Sequence, residues 1–144
     1  MNMSSLFEFI IRIEKAYDNY TKKLRDEYKL SKTSFDIIMF LGNNPSLHSA
    51  KDVSRMKNIK PNVVSLHVDE LVRDGYLNRE LIQSDRRSYK LILLDKSKKL
   101  IEEGRKYQLD FYRSLVNGLT SEDLEHYHRC FKTMYDNATL LQEE

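Results

Sequence analysis

The sequence predicts a mainly α fold carrying one small β-hairpin. Three observations lead there. Apolar residues recur at spacings of three and four along most of the 144 residues. Two short segments rich in branched and aromatic residues, "YLNRELI" and "YKLILL", flank a polar "QSDRRS". Cap and stop residues, among them Ser31, Ser49, Pro61 and Gly75, fall between the helical stretches.

The elements follow in order. Leu6, Ile10, Ile13, Tyr17, Tyr20 and Leu24 make one stripe of a long first helix. Phe7, Phe9 and Ile11 widen it, so two of its faces call for burial. Ser31 caps a second helix, "KTSFDIIMFL", which Gly42 and Pro45 stop. It is apolar nearly all round and belongs at the centre. Ser49 opens a short third helix, with Asp52 three residues on in a capping-box arrangement. Pro61 suits the first turn of a fourth helix running to Asp74, with Gly75 at its end. Its inward residues are Val64, Val68 and Leu71. The two strands come next, and "SLH" before Ser49 offers a small third one. Two last helices span roughly 96–117 and 121–141, the second capped by Thr120 or Ser121. Its apolar set includes Leu124, Tyr127, Phe131, Met134, Tyr135, Ala138 and Leu141.

Composition excludes several classes. The length suits one domain around one core. No apolar run reaches the roughly 18 residues of a membrane span. The start, "MNMSSLFEFIIRIEK", lacks a basic leader, and Glu8, Arg12 and Glu14 break its apolar segment, so no signal peptide is expected. A single cysteine, Cys130, forbids an internal disulfide, and these facts together predict a cytoplasmic protein. A catalytic reading finds no glycine-rich phosphate loop, no nucleophile beside a base and no metal-ligand cluster. His126 and His128 are two apart and point to opposite sides of a helix. Neither a metal nor a cofactor is expected.

Charge is unevenly spread. The formal net charge is only +2, but residues 49–90 sum to +3 and residues 117–144 to −4. A basic middle beside an acidic tail suits a polyanionic partner. Two short helices, a tight turn and a hairpin make a winged helix-turn-helix, residues 31–95, flanked by long helices in 1–29 and 96–144. Such a lobe suits duplex DNA. Its second helix fits the major groove, and an arginine at the hairpin tip suits the narrow minor groove, where the negative potential is strongest.

At this point "DELVRDGYLNRELIQSDRRSYKLILL" resembles the MarR family of bacterial transcription regulators. The matching features are the helix end at Leu71 and Gly75, Arg79, the D-x-R wing of Asp85 and Arg87, and the alternating strand. The resemblance covers nearly the whole chain. It implies a homodimer joined by the first helix and the last two, and repressors or activators often released by a small ligand or by oxidation. The chain departs from the family at position 66, often arginine and here Leu66. It departs again after the wing, where "LLDKSKK" replaces a threonine and glycine. The family's peroxide sensors carry their cysteine in the first helix, which has none here; Cys130 is expected to be a packed thiol.

The expected DNA-contacting residues are Ser49 and Lys51 at the third helix, Lys60, Asn62, Val63, Ser65 and Leu66 at the fourth, and Arg86 and Arg87 on the wing. Asn62 can pair with adenine, Ser65 can reach a base or a phosphate, and Leu66 can touch a thymine methyl. Arg87 is assigned to the minor groove and Arg86 to a phosphate. Asp85 and Arg79 support the wing. His67 is expected to pack beside Val64 and Val68. Tyr17, Tyr20, Tyr28, Phe35, Tyr107 and Tyr112 are candidates for lining an effector cavity. The functional expectation is a transcription regulator, a repressor released by a small ligand, binding an A·T-rich inverted repeat as a homodimer. The competing reading is a winged-helix protein-interaction module without DNA binding.

Overall fold

The chain is described by a computed structural model covering residues 2–142; the side chains of 85–88 lie outside the described residues. Its elements are α1 (Met3–Glu27), α2 (Lys32–Asn43), α3 (Ala50–Lys57), α4 (Pro61–Arg73), β1 (Leu77–Ile82), β2 (Asp85–Leu93), α5 (Asp95–Leu115) and α6 (Ser121–Gln142). They divide into a unit running to Phe111 and a second from Tyr112 onward.

The helix starts obey the capping expected of them. Ser31 Oγ accepts from Ser34 N, and the Ser49–Asp52 capping box closes in both directions. Pro61 opens α4, where its missing N–H costs nothing. Thr120, rather than Ser121, caps α6: its hydroxyl accepts from Asp123 N at 3.1 Å, and Asp123 Oδ2 accepts from Thr120 N at 2.8 Å. The turn between α3 and α4 rests on Asn58, whose φ of 52° lies in the left-handed region that asparagine tolerates. Gly75, at φ 80°, turns the chain from α4 into β1.

The core belongs to the first unit and is built on α2. Phe35, Ile37, Ile38, Met39 and Leu41 are buried there. Around them close Leu24 of α1, Val53 of α3, Val64, Val68 and Leu71 of α4, Leu77 and Leu91 of the hairpin, and Leu100 and Ile101 of α5. Thus α1 and α5 finish the lobe's core with one end each, and the lobe's packing extends beyond residues 31–95.

Four local expectations are corrected. Gly42 does not stop α2 but lies inside it; a Cβ there would fall 2.7 Å from Ile101, so the glycine permits close helix approach. The hairpin tip is Gln83–Ser84, and Arg86 and Arg87 belong to β2. "SLH" is no strand. Its last residue offers one bond, His48 O accepting from Leu91 N at 2.8 Å, beside the isolated bridge of Ser49 to Lys90. Cys130 is exposed rather than packed, on a helix that buries none of its residues within this chain.

The hairpin is antiparallel, with Leu77 opposite Leu93, Arg79 opposite Leu91 and Leu81 opposite Tyr89. Beyond Leu81 the register shifts, and Ile82 meets Asp85. In the second unit, Tyr127, Phe131 and Tyr135 stack along α6 with centroids 5.8 and 6.4 Å apart.

Candidate nucleic-acid interface

α4 presents two faces because its apolar residues follow the helical period. Val64, Val68 and Leu71 go to the core; Asn62, Ser65 and Leu66 are exposed, and Val63 is half-buried between the faces. Leu66 is 57% exposed, an apolar side chain with no core to serve. Lys60 stands exposed at the head of the same helix. His67 is partly packed, and its Nδ1 lies 3.0 Å from Ser34 Oγ, which ties α4 to α2.

At the start of α3 the Ser49 hydroxyl is occupied. It donates to Asp52 Oδ2 at 2.8 Å and accepts from Asp52 N at 3.0 Å. Burial pushes the Asp52 carboxyl up, but these bonds, with Arg55 and His48 nearby, hold it below its ordinary value. What this end of α3 offers a partner is therefore its free backbone N–H groups and the exposed Lys51. Lys51 has no salt bridge among the described residues.

Ser49, Lys51, Ser65 and Arg79 come together around one cleft of about 340 Å³, floored by Val68 and Leu91. Tyr89 forms part of its wall. Arg79 is not free there, because it donates to the Asp69 carboxylate of α4. That pair ties β1 to α4 and fixes the wing's root. Asp85, Arg86 and Arg87 lie outside the described side chains; only their place in β2 is known.

The sequence reading missed two members of this cleft system. Asp69 gave no signal, since a carboxylate on a helix face reads as solvated. Tyr89 did: strand alternation puts it on the face of Leu91, opposite Leu81.

Three of the aromatic set gather in the first unit, where Tyr17 and Tyr20 share Phe111 and Tyr20 also meets Tyr107. Tyr20 meets Tyr107 edge-on at 6.1 Å, and Tyr17 meets Phe111 at 5.3 Å. Phe35 is wholly buried, because α2 is the centre of the core. Tyr28 is pushed up to about 12, first by burial and then by its bond with Glu103. Tyr112 bonds His128 Nε2 at 3.1 Å in the second unit. Tyr17 does line a cleft of about 220 Å³, with Asp36, Met39, Phe40, Asn43, Asn44, Lys57 and Gln108. Its hydroxyl accepts from Gln108 Nε2 at 2.9 Å. Among the described residues no group of three potential ligands gathers to hold a metal. No described helix is long and apolar enough to cross a membrane.

A helix-turn-helix, a hairpin wing packed on its second helix and long flanking helices define a winged helix-turn-helix fold. The fold is that of the MarR transcription regulators. The chain resembles a MarR transcriptional regulator from Methanosarcina mazei Go1 with a TM-score of 0.83 at 20% identity, covering 96% of this chain and 99% of that one. It resembles a putative MarR family regulator from Listeria monocytogenes, solved with a 26mer DNA, with a TM-score of 0.80 at 15% identity, covering 91% and 87%. In sequence it is 26% identical over 117 residues to the HTH-type transcriptional regulator PecS of Dickeya dadantii, covering 80% of this chain and 70% of that one. No family model matches the chain.

Proposed function

We propose that the protein is a sequence-specific DNA-binding transcription regulator, acting as a homodimer and as a repressor released by a small ligand. The observation that carries the reading is the outward face of α4. It spends Asn62, Ser65 and Leu66 on solvent beside a wing and the exposed Lys51, which is an economical arrangement only if another surface covers it. A helix in the major groove with a wing over the neighbouring minor groove uses that face fully. The Listeria relative was solved with DNA, which supports the same use here.

Dimerisation is supported by apolar surface that the single chain leaves bare. Phe7, Phe9, Ile10 and Ile11 of α1 are exposed, as are Tyr127, Phe131, Met134 and Tyr135 of α6. A two-fold axis then requires an inverted repeat. Asn62 prefers adenine, Leu66 suits a thymine methyl, and a wing arginine suits an A·T-narrowed minor groove, so the repeat should be A·T-rich. The cleft holding Tyr17, Asp36 and Lys57 is the candidate effector site.

The test is an electrophoretic shift with sheared DNA at low salt, followed by sequencing of the fragments retained at higher salt. An A·T-rich inverted repeat is the expected result. Absence of any shift at low salt would transfer the protein to the class of winged-helix interaction modules.

A further inference from the structure

The cross-strand pair Leu81 and Tyr89 stands on the inner face of the wing, 57% and 43% exposed. The same face carries Leu77 and Leu91 into the core nearer the root, so its outer end continues an apolar strip past the point where the core stops. Tyr89 then walls the cleft of about 340 Å³ that faces Ser65 and Lys51. Arg79, the other cation among the described residues there, is paired with Asp69. Among the described residues the cleft is thus apolar along the wing and singly cationic across from it.

We propose that this cleft seats one sugar-phosphate strand of the bound duplex, with Leu81 and the Tyr89 ring against deoxyribose and Lys51 on the adjoining phosphate. The inference rests on the DNA-binding reading and adds two residues to it. The geometry requires a strand in this place. A helix in the major groove and a hairpin in the neighbouring minor groove straddle the backbone that separates those grooves. Deoxyribose offers an apolar face and phosphate one charge, which matches the two walls. Free α3 N–H groups beside Lys51 complete the phosphate side. Base identity plays no part, so these contacts position the protein without selecting sequence.

The experiment compares Leu81→Ala, Tyr89→Ala, Tyr89→Phe and Lys51→Ala with the parent on one selected site across a salt series. Both wing alanine variants should lose about tenfold in affinity, equally on specific and scrambled DNA, with the salt slope unchanged, as for a lost apolar contact. Tyr89→Phe should stay within about threefold of the parent, since the ring carries the contact. Lys51→Ala should lower the salt slope by about one unit. Methylphosphonate replacement of single phosphates should find one position per half-site that weakens the parent but not Lys51→Ala. All three side chains are exposed, and a thermal melt of each variant checks that the fold is retained. A parent that binds tightly while both wing alanine variants bind equally tightly overturns the strand assignment alone. A parent that binds no DNA overturns the DNA-binding reading as well.

Discussion

Arg79 on β1 donates to the Asp69 carboxylate on α4, so the strand that begins the wing is fastened to the helix that carries the exposed face. Arg79 is about one-third exposed and Asp69 more so (31% and 61%). A pair that open to water contributes little to stability, on the order of 0–1 kcal/mol. Its consequence is orientation. Asp69→Ala should leave the unfolding free energy within about 1 kcal/mol of the parent. Hydrogen exchange should nevertheless quicken in β1 and β2, and DNA affinity should fall severalfold. An unchanged exchange pattern in the hairpin would show that the core contacts of Leu77 and Leu91 fix the wing unaided.

The helix order was legible in the sequence because each start carries its own local signal: Ser31, Ser49 and Pro61 are caps or first-turn residues whose chemistry needs no partner from afar. Gly42 was misread for the converse reason. Locally a glycine near a proline is a stop, and only the approach of Ile101, 59 positions on, explains it. The hairpin's two strands were legible from their composition and alternation, whereas the tip at Gln83–Ser84 depends on a register shift that alternation does not encode. In the candidate site, Asn62, Ser65 and Leu66 followed from the helical period. Asp69 did not, since its role exists only once β1 lies beside α4.

Gly42→Ala should destabilise the protein although alanine favours helices. The gain in helix propensity is about 1 kcal/mol. Against it, the new Cβ would lie 2.7 to 2.9 Å from three atoms of Ile101. Ile101 is 5% exposed, and its branched side chain is stiff. Overpacking of that kind costs about 1–3 kcal/mol, so a net loss on the order of 1 kcal/mol is expected from urea unfolding. A more stable variant would mean that α2 and α5 separate freely.

Asp36 gives a pH dependence of defined sign. Burial raises its carboxyl above the ordinary value of 3.8, and Lys57, Lys32 and Arg25 offset this only in part, while Asp18 adds to it. Folding therefore favours the protonated form. The contribution is fully present below the unfolded value and is lost as pH rises through the folded one. Asp36→Asn removes the buried charge and keeps the shape. Its denaturation midpoint should exceed the parent's near about pH 7, and the difference should shrink as pH falls below the ordinary carboxylate value. A variant less stable than the parent at neutral pH would assign Asp36 a stabilising pairing with Lys57 instead.

The exposed aromatic run of α6 predicts the state of association. Tyr127, Phe131 and Tyr135 lie four apart on one face, each roughly half exposed (46%, 53% and 56%). A contiguous apolar surface of this kind marks a protein interface. Light scattering at micromolar concentration should give twice the 17.2 kDa of the chain. Phe131→Glu should lower that mass towards one chain by placing a charge in a desolvated contact. A parent of single-chain mass would leave α1 and α6 without the partner argued for them.

The way the sequence of the DNA is read gives the last prediction. The exposed face of α4 carries Asn62, Ser65 and Leu66, with no arginine fork for guanine. Base discrimination should then come from adenine pairing and from contact with thymine methyls. Leu66→Ala should lose discrimination at one thymine per half-site, by about 1 kcal/mol, as the loss of an apolar contact with a base does. Its stability should not change, because Leu66 packs on nothing in the core. Arg87, on β2 beyond the Gln83–Ser84 turn, should act differently. A cation in the minor groove or on its phosphates contributes to every sequence. Arg87→Ala should weaken selected and scrambled DNA alike and lower the salt slope by about one unit. Binding of both variants to both DNAs across a salt series separates the two modes. Loss at one base with an intact salt slope assigns Leu66 to readout, and uniform loss with a reduced slope assigns Arg87 to the backbone. If Arg87→Ala changes neither affinity nor slope, the wing does not touch DNA, and α4 alone must account for binding.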